Sequence, residues 1–238
     1  MATIEIGIQA RRSSTRFPDK STKPLGEGCA ISHLIECCEK CIVHLNKRHS
    51  DYDLSANLNV LVPDVEENYW QETLAGYNLD VVAGDLNNVL ERYKKLYETK
   101  RPRYIVRLTA DCHQIPWMTL NKMIFIASHH RLDYVSNCWE KYRTAPDGHD
   151  IEVISADGME WLFKNAKEKP HFEHVTIAIR QLMPQSLRKA AFVAKEDLSA
   201  IKLCIDTEDE YMHAAARFAA AIEKRDAAKK AGLGIYDY

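Results

Sequence analysis

Short apolar segments alternate with amphipathic segments over the first 137 residues of the chain. The segment at 86–100 repeats its apolar residues at the 3.6-residue spacing of a helix. Such alternation predicts βαβ units and therefore an α/β fold with a mostly parallel, doubly wound sheet. The predicted strands are 4–9, 59–63, 79–82, 104–109 and 134–137, and the predicted helices are about 28–48, 66–76, 86–100 and 116–130.

The pattern changes after residue 137. A polar, turn-rich stretch leads to a strand-like run at 151–154, and helical patterns follow at about 155–168 and 171–182. We interpret about 138–195 as an insertion over the sheet, within a single domain of 238 residues. The run at 201–206 is predicted to return as a sheet strand, and a capping box at Thr207–Glu210 marks the start of a final helix.

Charge and composition exclude several classes of protein. The formal net charge is −2, so the strong positive field of a general nucleic-acid binder is absent and no nucleic-acid partner is expected. Apolar runs stay well short of the ~20 residues that cross a bilayer, and the first residues lack the layout of a secretory signal. We therefore expect a cytoplasmic protein with no membrane partner. Seven cysteines, an odd number, predict reduced thiols.

The first predicted strand is followed by a strongly cationic loop. It carries Arg11, Arg12, Arg16, Lys20 and Lys23. The first strand–helix connection of an open α/β sheet is a favoured phosphate site, and arginine and lysine suit a polyphosphate. The loop has neither G-x-x-x-x-G-K-[ST] nor G-x-G-x-x-G, so neither a P-loop nor a dinucleotide site is predicted. On composition alone, a solvated charged turn fits equally well.

Two aspartates each follow an apolar run. Asp111 ends YIVRLTAD and Asp206 ends KLCID. Because parallel strands end at the same edge of a sheet, both carboxylates can reach the crevice beside the cationic loop. Two carboxylates there suit Mg²⁺ bound together with phosphate oxygens, although each alone is equally consistent with a turn or helix cap. Combined with the cationic loop, they predict phosphoryl or nucleotidyl transfer.

The segment IGIQARRSSTRFPDKSTKPLG resembles the first loop of the cytidylyltransferase family that includes the CMP-Kdo and CMP-sialate synthetases. It is most similar to the SpsF-like polysaccharide biosynthesis branch. The resemblance continues in GDLNNVLERY, YIVRLTADCHQI, PDGHDIEV, EHVT and LCIDTEDEY. It implies a Rossmann-like, three-layer α/β/α nucleotide-diphospho-sugar transferase fold. It also implies Mg²⁺-dependent transfer of CMP from CTP to a sugar acid, phosphate or phosphonate, with release of pyrophosphate, in surface polysaccharide or glycoconjugate biosynthesis.

The same resemblance implies roles for individual residues. The implied catalytic residues are Arg11 and Lys20, which grip the triphosphate, and the magnesium-binding pair Asp111 and Asp206. The implied nucleotide-binding set is Ala10, Arg11, Ser14, Arg16, Lys20, Asp85, Asn88 and Arg92. The implied acceptor-binding set is Asp147, Asp150, Glu152, Glu173 and His174, and a structural role for His174 fits equally well. The insertion is also expected to form a homodimer interface.

Two substitutions in the matching motifs leave alternatives open. Asp19 and Ala110 stand where the family usually has glycine. Asp19 adds a carboxylate to the phosphate loop, and Ala110 adds a methyl group where substrate passes close. One alternative is a nucleotidyltransferase or glycosyltransferase of the same fold that uses another nucleotide. The other is a catalytically silent nucleotide-binding subunit.

Overall fold

The computed structural model describes residues 2–47 and 54–231 of the chain. A seven-stranded sheet runs through these ranges in the order β5-β4-β1-β6-β8-β7-β9, and β2 and β3 form a separate hairpin. The strands are β1 (Ala2–Gln9), β2 (Pro24–Leu25), β3 (Gly28–Cys29), β4 (Leu54–Pro63), β5 (Asp80–Gly84), β6 (Tyr104–Thr109), β7 (Tyr134–Ser136), β8 (Glu152–Ser155) and β9 (Lys189–Ala191). The sheet is mostly parallel, as predicted, and β8 runs antiparallel to both of its neighbours.

Helices pack around this sheet. They are α1 (Ala30–Lys47), α2 (Glu67–Thr73), α3 (Val89–Lys100), α4 (Trp117–His129), α5 (Ala156–Asn165), α6 (Lys169–Glu173), α7 (Ile177–Leu182) and α8 (Glu208–Lys230). The capping box predicted at Thr207 is confirmed: its side chain accepts from Glu210 N, and the Glu210 carboxylate accepts from Thr207 N. No helix in the described ranges is both long and apolar enough to cross a membrane.

The central strands are buried because helices cover both faces of the sheet. Ile4, Ile6 and Ile8 of β1 have no exposed surface and pack in the same core as α1. On α3, the predicted apolar stripe is buried as expected. Its Tyr93 hydroxyl donates to Gly7 O across 3.0 Å, and a Cβ on Gly7 would lie 2.9 Å from the Tyr93 ring. The absence of a side chain at Gly7 therefore lets α3 approach β1 closely.

Residues 201–206 do not form a sheet strand, so that prediction is wrong. This segment makes an isolated parallel bridge between Asp147 and Lys202. The amides of Leu203 and Cys204 both donate to Asp147 O. Its backbone pairs with the turn at 147 instead of with the sheet, a non-local pairing that an apolar run of this length does not reveal.

The segment 138–195 also differs from an insertion lying over the sheet, because it contributes β8 and β9 to the sheet itself. The single helix predicted at 171–182 is two short helices. They are separated at Val175, whose φ of 51° lies in the left-handed region. His174 therefore ends α6 as its C-cap residue instead of lying within a longer helix.

Candidate active site

A cavity of about 240 Å³ opens at the carboxyl ends of β1 and β6. These strands are parallel neighbours, and their last residues, Gln9 and Thr109, are paired in register. The loops that follow both strands therefore start side by side at the edge where α/β sheets bind ligands. The cavity is lined by Gln9, Ala10, Arg11, Ser14, Thr15, Arg16, Lys20, Ser21, Val89, Arg92, Thr109, Ala110, Asp111, Glu173, His174 and Asp206.

Three charged groups from distant parts of the chain meet in this cavity. Lys20 Nζ lies 2.6 Å from Asp111 Oδ2 and 2.8 Å from Asp206 Oδ1. Burial disfavours the Lys20 charge, but the two carboxylates outweigh that cost and the pKa of Lys20 is raised. Burial likewise acts against the Asp206 charge, yet Lys20, Arg16 and Lys202 lower the pKa of Asp206. The structure thus brings together the two aspartates and the lysine to which the sequence pointed.

Backbone contacts fix the two aspartates. Ala110 N donates to Gln9 O, which holds the turn after β6 against β1, and Ile205 N donates to Asp111 O. Asp206 N donates to Glu210 Oε2 across 2.7 Å, so the start of α8 also fixes the second aspartate. The 201–206 segment reaches the site as a loop tied to the start of a helix, with no strand needed.

Two arginines of the first loop line the same cavity with more freedom. Arg16 approaches Asp206 Oδ1 at 3.3 Å and its side chain is 64% exposed. Arg11 lies 3.9 Å from Glu173 Oε1 and is about half exposed. Long, exposed, cationic side chains at a cavity mouth can reorient toward an anionic ligand at small cost, because these ion pairs contribute little in water. Ser14 adds a hydroxyl to the same lining.

Asp19 is engaged outside the cavity. Its carboxylate accepts from Arg12 Nε at 2.7 Å, and the Arg12 guanidinium also stacks over the Tyr69 ring at 4.0 Å. The backbone amides of Arg12 and Ser13 are held by the Glu66 carboxylate. The φ of Asp19 is 55°, a left-handed conformation that favours glycine. The backbone explains why glycine suits this position, and the ion pair directs the Asp19 carboxylate toward Arg12.

Arg92 organises the loop before α3 from a buried position. It donates to the backbone carbonyls of Asp85, Leu86 and Leu61, and it lines the cavity beside Val89. Asp85 and Asn88, predicted to bind nucleotide, do not line the cavity. The Asp85 carboxylate accepts from two amides of its own turn, and Asn88 caps α3. Their side chains stabilise the loop before α3, the helix that carries Arg92.

The predicted acceptor-binding residues separate into three groups. Glu173 and His174 line the main cavity. Asp150 and His174 line a second cavity of about 210 Å³, which shares Thr109 and His174 with the first. Asp147 lines neither; it pairs with Arg143 at 3.3 Å and anchors the 201–206 loop through its carbonyl.

Glu152 is fully buried on β8, which corrects the prediction that it binds the acceptor. Its carboxylate lies 2.5 Å from Arg107 NH1 and accepts hydrogen bonds from the Tyr134 and Thr176 hydroxyls. Burial alone would raise the pKa of Glu152, but Arg107, Arg180 and these hydrogen bonds lower it. Arg107 in turn donates to Gln9 Oε1 at 3.0 Å. Glu152 therefore positions Arg107 and, through it, a side chain of the main cavity.

The sequence reasoning missed three arginines around the second cavity. Arg107, Arg143 and Arg180 line it together with Thr109, Cys138, Glu140, Asp150 and His174. A signal existed for Arg107, since an arginine inside the apolar strand YIVRLT needs a buried partner.

Cys112, beside Asp111, is buried, and burial raises the pKa of its thiol well above the ordinary value. This supports packing over nucleophilic catalysis.

The chain is similar to known proteins in sequence and in fold. No family model matches the chain. It is 29% identical over 230 residues to the spore coat polysaccharide biosynthesis protein SpsF of Bacillus subtilis strain 168, covering 95% of this chain and 90% of SpsF. A cytidylyltransferase structure from Leptospira borgpetersenii superposes with a TM-score of 0.79, 23% identity and full coverage of both chains.

A second solved structure is more distant. The structure of CMP:2-keto-3-deoxy-manno-octonic acid synthetase in complex with CTP matches with a TM-score of 0.66 and 14% identity, over 92% of this chain and all of that one. The predicted nucleotide-diphospho-sugar transferase fold agrees with both matches. The chain is therefore similar in sequence to SpsF, and it shares the fold of a cytidylyltransferase and of a CMP-sugar-acid synthetase.

Proposed function

We propose that the protein is a Mg²⁺-dependent cytidylyltransferase that transfers CMP from CTP to a small anionic acceptor and releases pyrophosphate. The observation that carries the proposal is the contact of one lysine, Lys20, with two carboxylates, Asp111 and Asp206, in a cavity whose mouth bears Arg11 and Arg16. Cations for a triphosphate and carboxylates for a metal thus share one crevice, as phosphoryl-type transfer requires.

The carboxylate oxygens of Asp111 and Asp206 suit Mg²⁺ as ligands. Within residues 2–47 and 54–231, no group of three or more His, Cys, Asp or Glu side chains is arranged to hold a metal ion by itself. Mg²⁺ commonly binds through one or two carboxylates together with substrate phosphates and waters. Asp111 and Asp206 would therefore hold a Mg²⁺ ion that arrives with the nucleotide. When bound, the ion neutralises charge on the α-phosphate oxygens.

The cationic side chains act on the other end of the triphosphate. Arg11, Arg16 and Lys20 bind the β- and γ-phosphates and stabilise the charge of the departing pyrophosphate. Lys20 leaves its carboxylate partners for the phosphates when CTP binds. That exchange conserves its charge pairing, because one set of anionic oxygens replaces another.

The reaction is an in-line displacement at phosphorus. An acceptor oxygen forms a bond to the α-phosphorus of CTP while the bond from that phosphorus to the α,β-bridging oxygen breaks. The bridging oxygen keeps the electron pair and leaves as pyrophosphate. When the acceptor is a hydroxyl, His174 accepts its proton, since this residue lines both cavities.

The relatives support the choice of nucleotide and the biological setting. One structural neighbour is a synthetase complexed with CTP, and SpsF bears a name that refers to spore coat polysaccharide biosynthesis. We therefore infer a role in making an activated sugar for a surface polysaccharide or glycoconjugate, in the cytoplasm.

We also propose a homodimer formed through part of the 138–195 segment. Leu182, Met183 and Val193 lie within this segment and are about half exposed, so these apolar side chains are available to contact a second copy of the chain. Light scattering after size-exclusion chromatography would give twice the chain mass of 27.3 kDa. A monomer at micromolar concentration would contradict the proposal.

A pyrophosphate-release assay tests the catalytic proposal. CTP, GTP, UTP and ATP are each supplied with Mg²⁺ and a panel of sugar acids, sugar phosphates and phosphonates. We expect release with CTP and one acceptor class, and a loss of at least about 10²-fold in Asp111→Asn. Asp209→Asn, an exposed aspartate in the first turn of α8, is the matched control and should keep full activity.

The outcomes separate the alternatives. Release that depends on another nucleotide would identify a different nucleotidyltransferase. CTP binding without release on any acceptor would indicate a silent subunit, and full activity of Asp111→Asn would refute the assignment of this cavity.

A further inference from the structure

The second cavity is built differently from the first. Its volume of about 210 Å³ lies below the roughly 300–1,000 Å³ of pockets for drug-sized ligands, so it suits a small polar molecule or part of one. Three arginine side chains line it, whereas its carboxylates are those of Glu140 and Asp150. The cavity adjoins the main one through Thr109 and His174. A ligand in it can therefore present an oxygen to the site beside Asp111.

Two of the three arginines are already engaged by protein groups. Arg107 is paired with Glu152 and Gln9. Arg143 contacts Asp150 at 2.5 Å and also donates to the carbonyls of Ala145 and Pro146. Both guanidinium groups hold the cavity wall in place through these contacts.

Arg180, on α7, differs. Its side chain is only 11% exposed, and its NH1 atom lies 3.0 Å from both Cys138 O and Glu140 Oε1. Among the described residues, its buried Nε has no hydrogen-bond partner. Glu140 is 70% exposed, so this pairing is readily exchanged. A buried donor without a partner costs free energy, and a guanidinium edge is shaped for the two oxygens of a carboxylate or phosphate.

We propose that Arg180 recognises the anionic group of the acceptor in the second cavity, displacing the Glu140 carboxylate. This inference rests on the proposed function, because it names the residue that selects the acceptor for that reaction. The bound anion supplies the acceptor for the unpartnered Nε. Asp150, whose carboxylate also lines the cavity, can accept hydrogen bonds from hydroxyl groups while it stays paired with Arg143.

The recognised chemistry is a polyhydroxylated molecule with one carboxylate or phosphate group. A neutral sugar cannot replace the negative charge of Glu140 beside Arg180, so the cavity discriminates by charge. Arg180 does not line the main cavity, whose cations bind the triphosphate. The acceptor and the nucleotide are therefore recognised by separate sets of cationic side chains.

Isothermal titration without nucleotide tests this assignment. The probes are gluconate, glucose 6-phosphate and neutral glucose, titrated into wild-type protein and three variants. We expect at least one anion to bind and glucose not to bind, with the better anion identifying a sugar acid or a sugar phosphate. Arg180→Gln should weaken that anion by at least about tenfold, as loss of a charge-assisted pair does.

Two further variants complete the test. Glu140→Gln removes the competing carboxylate and should strengthen anion binding by about two- to fivefold, the range of an exposed ion pair. Arg188→Gln is the matched control: Arg188 is exposed, donates to Arg131 O and lines neither cavity. It should leave binding unchanged. Circular dichroism confirms the folded state of each variant.

Three results would overturn the proposal. It fails if no anion binds, if glucose binds as tightly as the anions, or if Arg180→Gln and Glu140→Gln both leave affinity unchanged. Separate titration with CTP and Mg²⁺ distinguishes this failure from that of the proposed function. A protein that binds CTP and releases pyrophosphate, yet ignores Arg180 substitution, refutes only the acceptor assignment.

Discussion

Lys20 and Asp111 form an ion pair of 2.6 Å between the first loop and the end of β6, and the same ammonium lies 2.8 Å from Asp206. One cation thus holds two carboxylates that would otherwise repel each other at short range. It also stands where a metal ion shared by the two carboxylates would need to bind. A divalent metal ion at the proposed site would therefore compete with Lys20 for the same oxygens when no nucleotide is present.

Lys20→Met should raise the affinity for Mn²⁺ in the absence of nucleotide. Lys20 Nζ lies less than 3 Å from both carboxylates, so its positive charge repels a second cation there. This gross repulsion is about 4 kcal/mol at an effective dielectric of 20, and solvent screening reduces it. We expect at least about tenfold tighter binding in a Mn²⁺ electron paramagnetic resonance titration. CMP transfer should be lost, because the triphosphate loses a partner.

Lys23→Met is the control for that change. It removes the same charge from the same loop, but Lys23 Nζ lies over the Phe17 ring at 4.9 Å and does not line the cavity. Equal Mn²⁺ affinity in wild type and Lys20→Met would show that Lys20 does not compete with the metal ion for the carboxylates.

Asp19→Gly should retain CMP transfer within about twofold, because the Asp19 carboxylate contacts Arg12 and does not line the cavity. Asp19→Ala keeps the left-handed backbone without the ion pair, so its free energy of unfolding should lie about 1–2 kcal/mol below that of the glycine variant. Urea denaturation and the pyrophosphate assay measure the two effects. A large gain of activity in Asp19→Gly would mean that the native carboxylate hinders phosphate binding.

Gly148→Ala should destabilise the protein and impair the site together. The φ of Gly148 is 107°, and a Cβ there would lie 2.4 Å from Cys204 N in the loop that carries Asp206. We expect a loss of about 2–4 kcal/mol in the free energy of unfolding. Gly76→Ala is the control, since nothing lies within 4 Å of its Cβ position. Equal stability of the two alanine variants would contradict the tight packing at 148.

His113 should make stability depend on pH. It is buried, and neither ring nitrogen has a hydrogen-bond partner among the described residues. Burial lowers the pKa of His113 to about 4 against the opposing effect of the Asp111 backbone, and Arg217, His33 and His149 act in the same direction as burial. Since the unfolded chain then binds a proton that the folded protein excludes, stability should fall as pH drops from about 6.5 to 4, by at most about 3 kcal/mol.

Replacing His113 tests the predicted direction of this pH dependence of stability. His113→Leu should flatten the pH dependence of the free energy of unfolding between pH 6.5 and 4, measured by urea denaturation at several pH values. His213→Gln, at an exposed position on α8, should leave the slope as in wild type. An unchanged slope in His113→Leu would assign the acid sensitivity to other groups.

Local patterns account for the parts of the structure that the sequence predicted well. The apolar stripe of α3, the capping box at Thr207 and the alternation of strands with helices are encoded within a few residues of each feature. The same reasoning failed at 201–206 and at Glu152. An apolar run indicates a buried segment but not the segment against which it packs. Whether a carboxylate on a strand is buried or reaches a cavity depends on the neighbouring strands.

By itself, the sequence determined that this chain alternates strands and helices, and that its cationic loop and Asp111 follow two strands at one edge of a parallel sheet. Only the tertiary structure decided that Lys20 joins Asp111 to Asp206, that Asp19 pairs with Arg12, and that Arg180 faces a second cavity. The physical reason is range: propensity and capping act between neighbours in the chain, whereas the ion pair of Lys20 with Asp206 joins residues 186 positions apart.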